Sequence, residues 1–120
     1  MFANCTPIFP VGDVAATQKY FQEVLGFTID WIWDDDFGSV SRDRICLFFS
    51  KETTIGEGLG AFWSVDEVDL VYAEYQKSGA QITRELENKP WGMREFTIED
   101  INGHFHRIGG ELTENSESVL

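Results

Sequence analysis

The sequence predicts an α+β protein made of two βαβββ modules that form a curved mixed sheet. Three observations carry that prediction. Residues 7–27, PIFPVGDVAATQKYFQEVLGF, and residues 61–80, AFWSVDEVDLVYAEYQKSGA, follow one plan: a short apolar strand, an acidic turn, a helix and a closing glycine. The two copies are offset by roughly 53 to 54 residues, about half the chain. Each is followed by three shorter segments of strand character.

In the first copy Val14, Thr17, Tyr20/Phe21 and Val24/Leu25 recur at helical spacing, with Asp13 at the start. Gly26 suits the left-handed position that ends a helix. In the second copy Val68, Val71/Tyr72 and Tyr75 form the apolar stripe, Asp66 and Glu67 open it, and Gly79 closes it. Acidic residues at both starts complement the helix dipole. Strands are expected over 28–33, 38–41 and 45–50, and again over 81–84, 94–98 and 104–108. Polar turns fall at Asp34, Asp35 and Asp36, at residues 42–44 and at 100–103, and 53–58 is the connector between halves. The reading is one domain, 1–120, with half-repeats over about 5–52 and 59–110. An acidic tail, 111–120, is expected to fray. Such a half covers one sheet face with its helix and leaves the other bare, which makes the bare face the natural place for a cavity or a dimer contact.

The net charge is −12, from 21 acidic residues against nine basic ones. A chain so charged repels phosphate backbones, and no Lys/Arg cluster overrides that, so nucleic acid is not an expected partner. The acidity reads either as a self-repelling soluble surface or as an attractor for a cationic ligand. The start MFANCTPIFP lacks the charged and apolar regions of a signal peptide, and no apolar run reaches membrane-spanning length. Cys5 and Cys46 form no CxxC motif and are expected to be reduced, buried, inert thiols in a cytoplasmic protein.

No Gly-rich phosphate loop, GxSxG or HExxH motif is present. His104 and His106 lie two apart in an expected strand and share a face, which is half of a metal site at most. The aromatic residues carry more: ten Phe, four Trp and three Tyr. Trp31 and Trp33 alternate onto one strand face, Phe37 follows the acidic turn, and Phe62 faces away from Trp63. Trp91 stands in the loop KPWGMRE, either folded back over the core or held to stack on a flat ligand.

Four stretches together resemble the glyoxalase/bleomycin resistance/dioxygenase superfamily, also called the vicinal oxygen chelate fold. They are PVGDVAATQKYFQEVLGF, DDFGSVSRD followed by ICLFFS, VDEVDLVYAEY, and PWGMREFTIEDINGHFHRIGG, and the resemblance covers residues 5–109. DDFGSVSRD and PWGMREF are similar to the bleomycin-resistance branch, with Met93 as a departure. The resemblance implies that enzymes of the superfamily hold a divalent metal at positions that fall here on Thr6, Cys46, Gly60 and Arg107. Thr and Gly are poor ligands, and Arg places a fixed positive charge where the cation belongs, so no metal and no cofactor are expected. It also implies a homodimer that exchanges its N-terminal strand around Pro7. Phe37 and Trp91 match stacking positions, Phe62 a groove aromatic and Asp30 an acidic groove residue. Trp31 and Trp33 join them by strand position, and strand alternation turns Phe105 and Arg107 toward the same cavity. The expected activity is binding and sequestration of a bleomycin-family antibiotic without chemical change. Three rivals stay open: another planar cation as ligand, a metal-dependent lyase, isomerase or dioxygenase, and a partner-docking protein.

Overall fold

The structure, a computed structural model, describes residues 1–112. Ten elements follow in order: β1 (Ile8–Val11), α1 (Val14–Glu23), β2 (Thr28–Trp33), β3 (Phe37–Arg42), β4 (Ile45–Lys51), β5 (Gly60–Ser64), α2 (Val68–Ser78), β6 (Gln81–Asn88), β7 (Met93–Glu99) and β8 (Phe105–Glu111). Each half is thus β-α-β-β-β. Each closes a four-stranded mixed sheet of the same topology, β1-β4-β3-β2 and β5-β8-β7-β6, in which first and last strands run parallel. Contacts divide the chain into two compact units. The first takes Met1–Leu59 with Ile101–His104, and the second takes Gly60–Asp100 with the described residues from Phe105 on.

In the first unit α1 begins where Asp13 accepts the Ala16 N–H at 2.9 Å, an N-cap worth about 1 kcal/mol. The helix buries Val14 and Phe21, and the Phe21 ring meets Phe49 at 5.0 Å and Phe27 at 5.3 Å. Val40, Leu47 and Phe49 turn toward it from the sheet. Gly38 sets the helix–sheet distance, because a Cβ there would stand 2.6 Å from Gln18 Nε2. Residues 101–104 are held within this unit. Asn102 accepts the Gly12 N–H and donates to Thr17 Oγ1 at 2.9 Å, and His104 bonds the backbone of Leu59 and Pro10.

In the second unit α2 ends at Gly79, whose φ of 86° is the left-handed cap that glycine adopts without strain. Tyr72 and Tyr75 pack edge-on to Phe96 at 5.0 and 6.3 Å. Trp63, Ile98 and Ile108 complete that core. Arg94, buried, reaches from β7 to Asp69 in the first turn of α2 at 2.8 Å and to Asn88 Oδ1 at 2.8 Å.

Four expectations are corrected. β6 runs to Asn88 rather than stopping at residue 84, because two register shifts break the alternation that reveals a strand in sequence. β7 starts at Met93, inside the segment expected to be loop. Glu111 belongs to β8, opposite Met93, and the Leu112 N–H donates to Gly92 O at 3.0 Å, so the tail does not begin at 111. Residues 113–120, the rest of that tail, lie outside the described residues. Cys5 is exposed rather than buried, because it precedes β1 and no element covers it.

Candidate functional site

On the first sheet, the face turned from α1 carries Phe37, Ser39 and Ser41 of β3 opposite Ser50, Phe48 and Cys46 of β4. Strict alternation would place Asp30 and Trp31 of β2 on opposite faces. A bulge between Ile29 and Trp31 puts both on this one. The Asp30 carboxylate accepts from the Ser39 hydroxyl at 2.9 Å and the Ser41 hydroxyl at 2.7 Å. Trp31 packs on Phe37 at 5.5 Å and Phe48 at 5.4 Å, and Phe37 meets Phe48 at 5.3 Å, a closed cluster of three rings. Behind the bulge, the buried Gln18 amide of α1 donates to Trp31 O at 2.8 Å and Ser39 O at 3.2 Å. A cavity of about 420 Å³ opens beside the rings, bordered by Cys5, Asp30, Trp31, Ser41, Cys46 and Phe48. The Ser39 hydroxyl and Cys46 Sγ lie 3.4 Å apart at its edge. Trp33 stands 66% exposed at the end of β2, beside a hairpin turn in which Asp34 and Asp35 both have positive φ. With the Asp36 N–H donating to Trp33 O at 2.9 Å, this is the turn type that matches strand twist.

On the second sheet, the face turned from α2 carries Phe62, Glu95, Thr97, Phe105 and Arg107. Trp91 sits at the tip of the β6–β7 hairpin. Lys89 and Met93 bracket that tip with a 2.7 Å backbone bond, and Gly92 turns it at φ 84°. The ring is 58% exposed and does not fold over the core. Its indole N–H donates to Glu95 Oε2 at 2.8 Å. The other oxygen, Oε1, accepts from Arg107 at 2.7 Å, and Glu95 is itself 4% exposed while Arg107 is 48% exposed. Burial pushes the Glu95 carboxyl pKa up. The Trp91 and Arg107 hydrogen bonds, with the charges of Arg107 and Lys89, outweigh that and hold it below the usual carboxylate range. The Arg107 guanidinium lies 5.9 Å from the ring centroids of both Phe62 and Trp91, and the Lys89 ammonium 5.9 Å from Trp91. Gly109 makes room for this array, since a Cβ there would stand 2.7 Å from Glu95 Cγ and 3.0 Å from Phe62. Trp91, Phe105 and Arg107 border a cavity of about 500 Å³ together with Arg84, Lys89 and Glu95.

The eight residues read from sequence therefore fall into two groups, one on each sheet. Asp30, Trp31 and Phe37 meet on the first, with Trp33 beside the turn, and Phe62, Trp91, Phe105 and Arg107 meet on the second. Sequence reasoning missed Glu95, Gln18, Phe48 and Lys89. Glu95 and Lys89 flank Trp91 in KPWGMRE, and that spacing on a hairpin was the one available signal. His104 and His106 do not act as a pair. His104 lies before β8 and bonds the first unit's backbone, while His106 donates to Asp100 Oδ2 at 2.9 Å inside the second unit.

The model of the glyoxalase/bleomycin resistance protein/dioxygenase superfamily matches residues 4–107. The chain belongs to that superfamily. Solved structures share the fold. A bleomycin resistance determinant encoded on the transposon Tn5 superposes with a TM-score of 0.82 at 20% identity, covering 93% of this chain and 100% of that one. A bleomycin-binding protein from Streptomyces verticillus, complexed with copper(II)-bleomycin, gives 0.76 at 24% identity, covering 95% and 98%. A glyoxalase-related enzyme from Clostridium phytofermentans gives 0.80 at 23% identity, covering 93% and 97%. No curated protein matches the sequence. The superfamily holds enzymes as well as binding proteins, so its divalent metal must be tested against the residues present. Arg107 carries a fixed positive charge and bonds Glu95, Gly60 has no side chain and a Cβ there would run into the Phe105 ring, and Thr6 is a weak donor. Among the described residues no three His, Cys, Asp or Glu side chains converge on one point. The donor set does not fit such a metal.

Proposed function

We propose that this chain binds and sequesters a planar cationic antibiotic of the bleomycin class, without altering it. One observation carries the reading: the closed ring cluster of Trp31, Phe37 and Phe48, left uncovered by α1, with the Asp30 carboxylate fixed beside it by two serine hydroxyls. Rings already packed against each other lose little freedom when a flat ligand stacks on them, and a fixed carboxylate favours a cation there. Exposed Trp33 and the run Asp34, Asp35, Asp36 extend the same aromatic and acidic character. Phe62, Trp91 and Phe105 on the second sheet, beside Arg107, offer further aromatic surface for a flat, uncharged part of the ligand. The unsuitable donor set at the superfamily's metal positions supports binding without catalysis.

In this reading the protein is a cytoplasmic homodimer, and the N-terminal strand exchanges around Pro7. Here the Pro7 carbonyl accepts the Phe48 N–H at 3.0 Å within the chain, the pairing that an exchanged strand would reproduce. Titration calorimetry with metal-free and copper-loaded bleomycin tests the assignment. Saturable heat, with protection of DNA from the drug, is the expected result, and absence of both overturns it. A dye and drug panel followed by tryptophan quenching separates bleomycin from other planar cations.

A further inference from the structure

The second sheet's cavity has a different electrostatic character from the chain that contains it. Of nine basic residues in the sequence, three, Arg84, Lys89 and Arg107, border this one cavity, against two acids, Glu85 and Glu95. Glu95 is spent internally, because one oxygen takes the Trp91 N–H and the other takes Arg107. Lys89 is paired with the exposed Glu87 but keeps its place over the indole. The net charge of −12 does not decide what enters. At physiological salt a charge is screened beyond about 8 Å, so local groups dominate.

Trp91 is also a poor receptor for a ligand cation. Its ring already has a guanidinium and an ammonium, each 5.9 Å from its centroid, and a third cation would meet both. The Arg107 guanidinium has five N–H donors and gives one bond to Glu95, while about half of its surface stays open. Held between Phe62 and Trp91 by a buried carboxylate, it is a preorganised fork for a planar oxyanion.

We propose that this cavity binds a flat aromatic carboxylate, with its oxygens on Arg107 and its ring against Trp91 and Phe105. The inference shares small-molecule binding with the reading above but not its cation, and it stands on the second sheet alone. Naphthoate, naphthamide and naphthylmethylammonium are matched probes of one ring with negative, neutral and positive heads. They are titrated into the whole protein while the Trp91 indole N–H resonance is followed by NMR, assigned by its loss in Trp91→Phe. Naphthoate is expected to shift that resonance with a Kd of roughly 0.1–1 mM, typical of so few atoms. The amide and the ammonium are expected to bind at least about tenfold more weakly, the worth of a charge-assisted hydrogen bond.

Arg107→Gln is expected to lose about tenfold for naphthoate and Arg107→Lys to keep part of the affinity, each checked for a native melt. If the ammonium binds as well as the acid, or Arg107→Gln binds naphthoate like the parent, the proposal is overturned. The native protein's probe series decides the matter even if a variant misfolds. A bleomycin titration alongside keeps the two readings apart. Naphthoate binding without bleomycin heat removes only the antibiotic assignment, and the reverse removes only this one.

Discussion

Trp91 and Glu95 are joined across a hairpin tip by a 2.8 Å bond from the indole N–H to a carboxylate that is almost wholly buried. A tryptophan beside proline and glycine is therefore exposed but fixed. The carboxylate that fixes it also holds Arg107 at 2.7 Å, so one buried acid orients the ring and the guanidinium together.

Glu95→Gln removes the charge and keeps one acceptor, so either Trp91 or Arg107 loses its bond. The expected destabilisation is about 1–2 kcal/mol, read as a lower urea midpoint at unchanged slope. Trp91 emission is expected to shift to the red as the ring loosens. A midpoint like the parent's would show that Glu95 does not hold the array.

The same carboxyl sets a pH dependence. Its folded pKa lies below its unfolded one, so the unfolded chain binds the proton more readily, and stability rises with pH between the two values. The contribution is fully present above the usual carboxylate range and is lost as pH falls through the lowered folded value. Urea midpoints of the parent and Glu95→Gln, measured from pH 7 downward, should draw together as pH falls below the usual carboxylate range. Parallel curves would refute the linkage.

Gln18 donates to the Trp31 and Ser39 carbonyls behind the β2 bulge. Gln18→Met fits the space but donates nothing, and the expected cost is about 1–3 kcal/mol for the two hydrogen bonds lost. Because the bulge aims Asp30 and Trp31 onto one face, the variant is also expected to weaken ligand quenching of tryptophan emission. Full stability with unchanged quenching would remove Gln18 from the site's support.

Asp35 has φ 57° at a turn position that glycine prefers. Asp35→Gly is expected to stabilise the hairpin by about 0.5–1 kcal/mol, seen as a higher thermal midpoint. Loss of stability would mean that the Asp35 side chain makes a contact that outweighs its backbone cost.

Much of the fold was legible because it rests on local patterns. The apolar stripe from Val14 to Phe21, the cap at Asp13 and the left-handed glycines at 26 and 79 are properties of consecutive residues, and each element formed where they predict. QITRELEN shows strand character in sequence only over 81–84 because its bulges erase alternation, and only pairing with β7 reveals the rest as a strand.

The sequence by itself determined two βαβββ halves, each with one uncovered sheet face, and it named several of the aromatic residues on those faces, though not Phe48. Spacing along a chain fixes which side of a strand or helix a residue takes. Tertiary structure alone decided what those residues do together. The bulge that places Asp30 and Trp31 side by side, and the meeting of Glu95 with both Trp91 and Arg107, depend on strand register and on a glycine at 109 that leaves room. Register is set by contacts between distant segments, and no local pattern encodes it.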